Sequence, residues 1–380
     1  MSKENYGINT ICTHVGEIHD EQFGGAVSPI YMTTSYPFMD VDVRRYPRNF
    51  NSPNQEALGK KIVALEHAEA ALPFASGMAA ISTTLLAFLN AGDHIVLTNH
   101  IYGGALNLVV EEFHKMGIEY SFTEGIEPKD FEAKIKSNTK VIYLETPSNP
   151  LLTITDIEAV AAIAKKHSII SMIDNTFASP INQTPLDFGI DISIHSATKY
   201  LGGHSDITAG AVASTEENIK RIWSKGKNLG GNLSDFMCYL LERSIKTLAI
   251  RVDRHNINAI YMAEYLKNHK AIKKVYYPGL QDHPNHEIAK KQMHGFGGML
   301  SFELKDNYNA VDFQKRLQLV KPSMSLAGVE STILLPSLTS HSLLTPEQRK
   351  AVGISDNLLR FSVGIEDVKD IIADIEQALE

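Results

Sequence analysis

Four short apolar runs, separated by stretches of helical periodicity, constrain the fold of this 380-residue chain more than any other feature. The runs are residues 94–98, 141–145, 169–174 and 191–195. Between two of them, Thr155 and Glu158 have the spacing of a capping box and predict a helix over 155–167. Continuous apolar strands that alternate with helices are typical of a sheet buried on both faces. The sequence therefore predicts an α/β architecture built on a mostly parallel central sheet.

The same pattern divides the chain into three predicted parts, and its length supports more than one domain. Residues 1–55 have little periodicity and are rich in Thr, Pro, Asn and Tyr. We expect them to form an extended arm that contacts a neighbouring subunit. Residues 56–250 hold the alternating strands and helices of a large domain. Residues 251–380 combine an alternating strand over 298–304 with a final helix whose apolar stripe starts at Val368, which predicts a smaller C-terminal α+β domain.

Composition argues against several classes of function. The hydrophobic content of 43% and the charged content of 21% are usual for a globular protein, and no apolar run reaches the ~18 residues of a membrane span. A net charge of −8 without basic runs argues against nucleic acid as a partner. Cys12 and Cys238 lie in no Cys/His cluster, so we expect neither a disulfide framework nor a metal site. With a polar N-terminus, these features predict a cytoplasmic protein.

The segment Ser196-Ala-Thr-Lys199 directly follows the apolar run that ends at His195. A lysine just beyond the carboxyl end of a strand faces the crevice where open α/β sheets bind ligands. The hydroxyls of Ser196 and Thr198 beside it can donate to a phosphate, and lysine amines form Schiff bases with carbonyl groups. If Lys199 stood alone, a solvated surface lysine would be the better explanation, because surface lysines are common.

Asp174 ends the apolar run that begins at Ile169. A buried carboxylate at a strand end is costly unless it meets a cation. An aspartate that caps the next turn would also fit the pattern. The protonated pyridine nitrogen of pyridoxal 5'-phosphate (PLP) is a cation of the required kind. Because Asp174 stands about 25 residues before Lys199 at the same predicted sheet edge, the two together favour a PLP site.

Two further segments fit such a site. Ser76-Gly77-Met78 opens a predicted helix, whose free backbone N–H groups and dipole favour a phosphate dianion, although a simple N-cap by Ser76 fits equally well. Tyr102 follows the first apolar run, where an aromatic ring can stack on a flat cofactor or serve in packing.

Seven segments, spread over most of the chain, carry a resemblance to a known family. They are residues 33–38, 46–48, 74–80, 145–150, 174–180, 196–206 and 359–366. In these motifs and in their order the chain resembles the PLP enzymes of cysteine and methionine metabolism, which include cystathionine γ-lyase, cystathionine γ-synthase, cystathionine β-lyase and methionine γ-lyase. The resemblance implies the aspartate-aminotransferase-like (type I) fold of PLP-dependent transferases, with a large α/β domain and a smaller C-terminal α+β domain.

The resemblance also implies roles for the matching residues. Lys199 would carry PLP as a Schiff base and move protons, Asp174 would pair with the pyridine nitrogen, and Tyr102 would stack on the ring and assist the leaving group. The implied cofactor-binding residues are Tyr46, Arg48, Gly77, Met78, Tyr102, Asn149, Asp174, Ser196, Thr198 and Lys199. The implied substrate-binding residues are Tyr46, Asn149, Ser325 and Arg360.

Two of these roles need particular side-chain or subunit geometry. Arg360 would clamp the substrate carboxylate, because a planar guanidinium can bind it through two parallel hydrogen bonds. Tyr46 and Arg48 match a pair that reaches the phosphate of the neighbouring subunit. The resemblance therefore implies a homotetramer made of two dimers, each with shared active sites.

The reaction that the resemblance implies is cleavage of the C–S bond of cystathionine or a related sulfur amino acid, with γ-elimination favoured over β-elimination. The alternatives are γ-replacement, by a cystathionine γ-synthase or an O-acylhomoserine sulfhydrylase, and methionine γ-lyase activity. Met324 replaces a glutamate that is usual in the cystathionine enzymes and is closer to methionine γ-lyase. Gly104, however, replaces a cysteine of methionine γ-lyase, so these two positions leave the exact reaction open.

Overall fold

We describe residues 6–340, 345–351 and 353–380 of a computed structural model of the chain. Within these ranges the chain forms twelve β-strands, arranged in two sheets of seven and five strands, and fourteen α-helices. The helices, in chain order, are Ile8–His14 (α1), Pro53–Glu66 (α2), Gly77–Phe88 (α3), Gly103–Asn107 (α4), Pro128–Glu132 (α5), Ile157–Lys166 (α6), Ser179–Asn182 (α7), Glu216–Leu229 (α8), Asp235–Ile245 (α9), Leu248–Asn268 (α10), His286–Gln292 (α11), Ala310–Arg316 (α12), Pro346–Ala351 (α13) and Val368–Leu379 (α14).

The larger sheet confirms the predicted mostly parallel arrangement. Its strands are Ala70–Phe74 (β1), His94–Leu97 (β2), Glu119–Phe122 (β3), Thr139–Glu145 (β4), Ile170–Asp174 (β5), Ile192–His195 (β6) and Gly210–Ser214 (β7). Their order across the sheet is β1-β7-β6-β5-β4-β2-β3. The five strands from β6 to β3 are parallel, and β7 is antiparallel to both of its neighbours.

Both faces of this sheet are buried, which explains why its strands are continuously apolar in sequence. Along β4, Val141 and Tyr143 pack into one apolar cluster, and Ile142 and Leu144 pack into a second cluster. This alternation follows from the period of two residues in a β-strand. Helices on either side therefore cover the strands, as parallel sheets require.

The helix between β4 and β5 starts one residue later than the predicted capping box implies. Asp156, not Thr155, is the N-cap, and its Oδ1 accepts a hydrogen bond of 3.0 Å from the backbone N–H of Ala159. The backbone N–H of Thr155 instead donates to Thr146 Oγ1 at 3.0 Å. A contact between loops therefore takes Thr155 out of the capping position.

The smaller sheet consists of Ile272–Tyr276 (β8), Met299–Leu304 (β9), Lys321–Pro322 (β10), Thr332–Leu334 (β11) and Leu358–Ser362 (β12). Its order is β10-β11-β12-β9-β8, and only the β10–β11 pair is parallel. The apolar stripe of α14, with Ile371 and Ile375, shares a core with Phe302 of β9 and Phe361 of β12. Residue 250, where the sequence pattern changes, lies inside the long helix α10.

The N-terminal segment is not extended throughout. Residues 8–14 form helix α1, because Cys12 is buried and packs into the core with Leu58 of α2. The buried amine of Lys61 donates a hydrogen bond of 2.8 Å to the carbonyl of Cys12 and holds α1 to α2. The chain between α1 and α2 has no further α-helix or strand and exposes many of its apolar side chains.

None of the helices in the described ranges combines the length and the apolar content that crossing a bilayer demands. Among the same residues, no three His, Cys, Asp or Glu side chains are grouped so that they could hold a metal ion.

Candidate active site

Lys199 lies in the turn after β6, at the carboxyl edge of the large sheet. Its Nζ donates a hydrogen bond of 2.7 Å to Ser325 Oγ. Burial and the nearby positive charge of Arg360 lower the pKa of Lys199 to about 8, although Asp174 opposes this effect. The amine can therefore lose its proton near neutral pH, as a lysine nucleophile or base must.

Asp174 is buried at the end of β5, the strand next to β6. Its Oδ1 accepts a hydrogen bond of 3.0 Å from the backbone N–H of Thr176. Burial raises the pKa of Asp174 in spite of the hydrogen bonds from Thr176. A cation placed against this carboxylate would offset the cost of burying its charge.

Glu145 ends the adjacent strand β4, directly opposite Asp174 in the β4–β5 register. Its Oε2 accepts a hydrogen bond of 2.6 Å from the backbone N–H of Tyr102, and its Oε1 accepts one of 3.2 Å from that of Asn149. Burial, reinforced by the charge of Asp174, raises the pKa of Glu145 well above its ordinary value. The sequence motifs include Glu145 but assign it no role, although it ends an apolar run in the same way as Asp174.

Arg360 reaches the same cavity from β12 of the small sheet and is itself buried. Its Nη1 donates to Asn149 Oδ1 at 3.0 Å, and its Nη2 donates to the backbone carbonyl of Ser325 at 3.0 Å. Burial lowers the pKa of Arg360 to about 10, and the negative charge of Glu145 opposes that shift. A guanidinium carries five N–H donors, so donors remain for a carboxylate ligand.

One end of the cavity is formed by the start of α3. The hydroxyl of Ser76 caps this helix by accepting a hydrogen bond of 3.0 Å from the backbone N–H of Ala79. A Cβ atom at Gly77 would lie 2.7 Å from the Cβ and 2.9 Å from the Oγ of Ser196, so only glycine leaves this space open. A helix N-terminus with an open backbone approach and a neighbouring hydroxyl suits a phosphate.

Thr198 also lines the cavity, but its hydroxyl is already engaged. Thr198 Oγ1 donates to the backbone carbonyl of Ala209 at 3.1 Å and accepts from the N–H of the same residue at 3.0 Å. Its predicted donation to a phosphate would therefore require the hydroxyl to exchange one partner for another.

Tyr102 stands at the mouth of the cavity with 46% of its surface exposed, which favours a role toward a ligand over one in packing. A Cβ atom at Gly104 would lie 2.5 Å from Tyr102 Cε1 and 2.9 Å from Met78 Sδ. The missing side chain at Gly104 therefore lets the tyrosine ring and the methionine thioether lie close to that backbone.

Most of the predicted site residues meet in one cavity of about 440 Å³. Those that line it are Gly77, Met78, Tyr102, Asn149, Asp174, Ser196, Thr198, Lys199, Ser325 and Arg360. Met324, which the sequence comparison singles out for substrate choice, lines it as well and is 72% exposed. Further lining residues, to which the sequence analysis assigned no role, include Thr176, Phe177, Thr208, Leu326 and Leu334.

Tyr46 and Arg48 do not line this cavity. The guanidinium carbon of Arg48 lies 5.4 Å from the centre of the Tyr46 ring, and its Nη1 donates to the backbone carbonyl of Lys227. Tyr46 itself is 47% exposed.

The residues that line the cavity fit PLP. An amine with a lowered pKa is available for its aldehyde at Lys199, and a buried carboxylate in need of a cation is available for its pyridine nitrogen at Asp174. The space above Gly77 at the start of α3 suits its phosphate. Tyr102 can cover its ring from the open side.

Comparison with known proteins agrees with this geometry. Residues 9–380 match the family described as Cys/Met metabolism PLP-dependent enzyme. The chain is 43% identical to a cystathionine beta-lyase of Lactococcus lactis subsp. cremoris over 377 residues, which cover 98% of this chain and 99% of that protein. It is 42% identical over 375 residues to a cystathionine gamma-lyase of Bacillus subtilis, with 98% of each chain covered.

A solved structure shows the same fold. The crystal structure of cystathionine gamma-lyase from Lactobacillus plantarum, complexed with L-serine, superimposes with a TM-score of 0.94 at 40% identity and covers 98% of each chain. The predicted PLP-dependent transferase fold and the predicted cofactor are thereby confirmed. The chain belongs to the PLP-dependent enzymes of cysteine and methionine metabolism.

Proposed function

We propose that this protein cleaves the carbon–sulfur bond of cystathionine or a related sulfur amino acid, with γ-elimination as the main reaction. The observation that carries the proposal is one cavity that the Lys199 amine, with a pKa of about 8, lines together with the Asp174 carboxylate and the Arg360 guanidinium. The names of the relatives, cystathionine beta-lyase and cystathionine gamma-lyase, support cleavage of a C–S bond of cystathionine and do not separate β- from γ-elimination.

Lys199 is the residue that moves protons in this proposal. PLP, when bound, supplies an electron sink that stabilises negative charge at the substrate Cα. The Lys199 amine takes the proton from that Cα. For γ-elimination, it also moves a proton at the neighbouring Cβ. The amine donates a hydrogen bond to Ser325 Oγ, and Ser325 lies on a loop of the small-sheet side. The backbone carbonyl of Ser325 accepts a hydrogen bond from Arg360, so the amine is held close to Arg360.

The other residues orient the reactants. Asp174 keeps the pyridine nitrogen protonated, because a buried carboxylate stabilises a cation beside it. Arg360 binds the substrate carboxylate, and the side-chain oxygen of Asn149 fixes the orientation of the guanidinium. Tyr102 covers the cofactor ring and delivers a proton to the departing sulfur, for which its position at the cavity mouth is suitable.

Two positions bear on substrate choice. The ring of Tyr102 occupies space that a side chain at Gly104 would need, so the cysteine that the resemblance places there in methionine γ-lyase does not fit this arrangement. Met324 adds an exposed apolar surface at the cavity and offers no charge for a second amino group. Met324 by itself therefore favours a thioether without a second amino group, whereas Gly104 argues against methionine γ-lyase. The choice of cystathionine rests on the names of the relatives, which also do not favour the γ-replacement alternative.

We further propose that residues 1–55 act as an arm that contacts a neighbouring subunit, and that the protein is a homotetramer of two dimers. The arm is the first of the three predicted parts of the chain. Phe23, Met32, Phe38 and Met39 of this segment are each at least 65% exposed, and apolar surface of this extent is commonly covered by a partner. Tyr46 and Arg48 lie outside the cavity of their own chain and remain candidates for the partner's phosphate site. A cytoplasmic location stays a prediction from the sequence.

A panel of substrates tests the reaction class. The PLP-loaded protein is assayed with L-cystathionine, with L-methionine, and with an O-acylhomoserine plus a thiol. We expect the highest kcat/KM for cystathionine, with formation of a 2-oxo acid and ammonia. A higher kcat/KM for the acylated homoserine, with a thioether as product, would assign the protein to the replacement enzymes instead.

A further inference from the structure

The two oxygens of the buried Glu145 carboxylate hold two different parts of the site. Oε2 accepts from the backbone N–H of Tyr102, and Oε1 accepts from the backbone N–H of Asn149. From these contacts we propose that Glu145 is a positioning residue that sets the place of the Tyr102 ring and of the Arg360 clamp together. The inference rests on the roles proposed above for Tyr102 and Arg360.

Tyr102 depends on Glu145 for its backbone position. It immediately precedes the five-residue helix α4, and no side chain in the described ranges caps that helix. The hydrogen bond of 2.6 Å to Glu145 Oε2 instead fixes the Tyr102 N–H to the end of β4. Because the tyrosine ring is half exposed, its placement over the cavity depends on this backbone anchor more than on packing.

Asn149 transmits the effect of Glu145 to the other side of the cavity. Its backbone N–H is held by Glu145 Oε1, while its side-chain oxygen accepts from Arg360 Nη1 at 3.0 Å. Arg360 comes from the small sheet, 211 residues further along the chain. A shift of the Asn149 loop would therefore turn the guanidinium that is proposed to bind the substrate.

The two N–H contacts account for an acid at a place where an acid is costly. Glu145 is buried directly opposite a second buried carboxylate, Asp174, and the proximity of two like charges in a dry site is costly. A glutamine of nearly the same shape would avoid that cost. It could not replace both contacts, however, because its NH₂ group would face one of the two N–H donors.

The variant Glu145→Gln tests this inference, with Glu119→Gln as the control because Glu119 is an exposed carboxylate of the same sheet. Three quantities are measured: the Kd of the apoprotein for PLP, the visible circular dichroism of the bound cofactor, and kcat and KM for cystathionine. We expect Glu145→Gln to raise both the Kd and the KM about tenfold and to change the circular dichroism, with a smaller effect on kcat. The control should match the wild type.

A folded Glu145→Gln protein whose Kd, KM and circular dichroism match the wild type would overturn the inference. Glu145→Asp, which keeps the charge but is shorter, is measured in parallel in case the glutamine variant does not fold, and is expected to shift the same quantities. If wild-type protein fails to cleave cystathionine, the proposed function fails. The Kd and the circular dichroism still decide the role of Glu145 in that event.

Discussion

Lys199 Nζ lies 2.7 Å from Ser325 Oγ, so the proposed base is held by a residue from the loop that follows β10 of the small sheet. The backbone carbonyl of the same serine accepts a hydrogen bond from Arg360 Nη2. Ser325 has a φ of 79°, in the left-handed region, which directs its hydroxyl and carbonyl to these two partners. The proposed base and the proposed substrate clamp therefore share one residue.

Replacing Ser325 with alanine should lower kcat for cystathionine about tenfold and leave KM nearly unchanged. The reason is that alanine keeps the backbone carbonyl for Arg360 but removes the acceptor for the Lys199 amine. Steady-state kinetics check this split. Ser323→Ala is the control, since that hydroxyl is exposed and donates to the carbonyl of Met324. A rise in KM with unchanged kcat in Ser325→Ala would place the hydroxyl on the substrate instead.

Lys199→Met should abolish C–S cleavage and the visible absorbance that arises when the cofactor is joined to a lysine. The same substitution should stabilise the apoprotein at pH 7 by about 3 kcal/mol, because it removes a buried ammonium whose pKa is lowered from 10.5 to about 8. Urea unfolding of both apoproteins measures the difference. The exposed Lys129→Met variant serves as the control and should change neither property.

The sign of the pH dependence follows from the direction of that shift. The pKa of Lys199 falls from 10.5 to about 8 in the folded protein, so between these values the unfolded chain binds more protons than the folded one. The cost of the buried ammonium is complete below pH 8 and disappears as the pH rises toward 10.5. The stability advantage of Lys199→Met should shrink across this window, and an advantage that grows with pH would contradict the assignment.

Asp174→Asn should reduce kcat about a hundredfold and weaken PLP binding about tenfold, since the amide cannot stabilise a positive pyridine nitrogen. Titration of the apoprotein with PLP and the rate of cystathionine cleavage provide the two measurements. Asp306→Asn is a suitable control, because Asp306 is 93% exposed on a loop of the small-sheet side. Wild-type PLP affinity and kcat in Asp174→Asn would refute the proposed pairing.

Arg360→Lys should raise KM for cystathionine about tenfold, with a smaller loss of kcat. Lysine keeps the positive charge but lacks the planar fork that can bind a carboxylate and Asn149 Oδ1 together. Arg221→Lys, a change at an exposed arginine that lies over Phe88, controls for the substitution itself. An unchanged KM would show that the substrate carboxylate binds elsewhere.

The proposed shared active site predicts complementation between two inactive proteins. Arg48→Ala removes the proposed phosphate contact to the partner, and Lys199→Met removes the amine of its own site. In mixed dimers one of the two sites regains both residues, so co-refolded protein should recover about a quarter of wild-type activity. Recovery of no activity above the sum of the separate variants would place Arg48 in its own chain's site.

The sequence predicted the parts of the fold that depend on burial. The strands of the large sheet are continuous apolar runs because both of their faces are covered, and the final helix shows a clear stripe at Val368, Ile371 and Ile375. The start of α6 was predicted one residue early, because Thr155 and Asp156 can both cap a helix and only the contact of Thr155 with a distant loop decides between them.

The sequence indicates the place of a site residue where its side chain must face the sheet edge, and it does not indicate a role that depends on contacts; the roles of the site residues stay predictions. Lys199 and Asp174 follow from their places at strand ends. Glu145 has the same place, but its importance comes from hydrogen bonds to Tyr102 and Asn149 that no sequence spacing shows. These contacts join separate loops of the fold.

The products formed from L-cystathionine alone by the PLP-loaded protein test the central claim most directly. The proposal predicts 2-oxobutyrate, ammonia and cysteine in equal amounts, as γ-elimination requires. Pyruvate with homocysteine would show that the protein is a lyase that catalyses β-elimination instead. Release of neither thiol, under conditions in which the cofactor is bound at Lys199, would contradict the account.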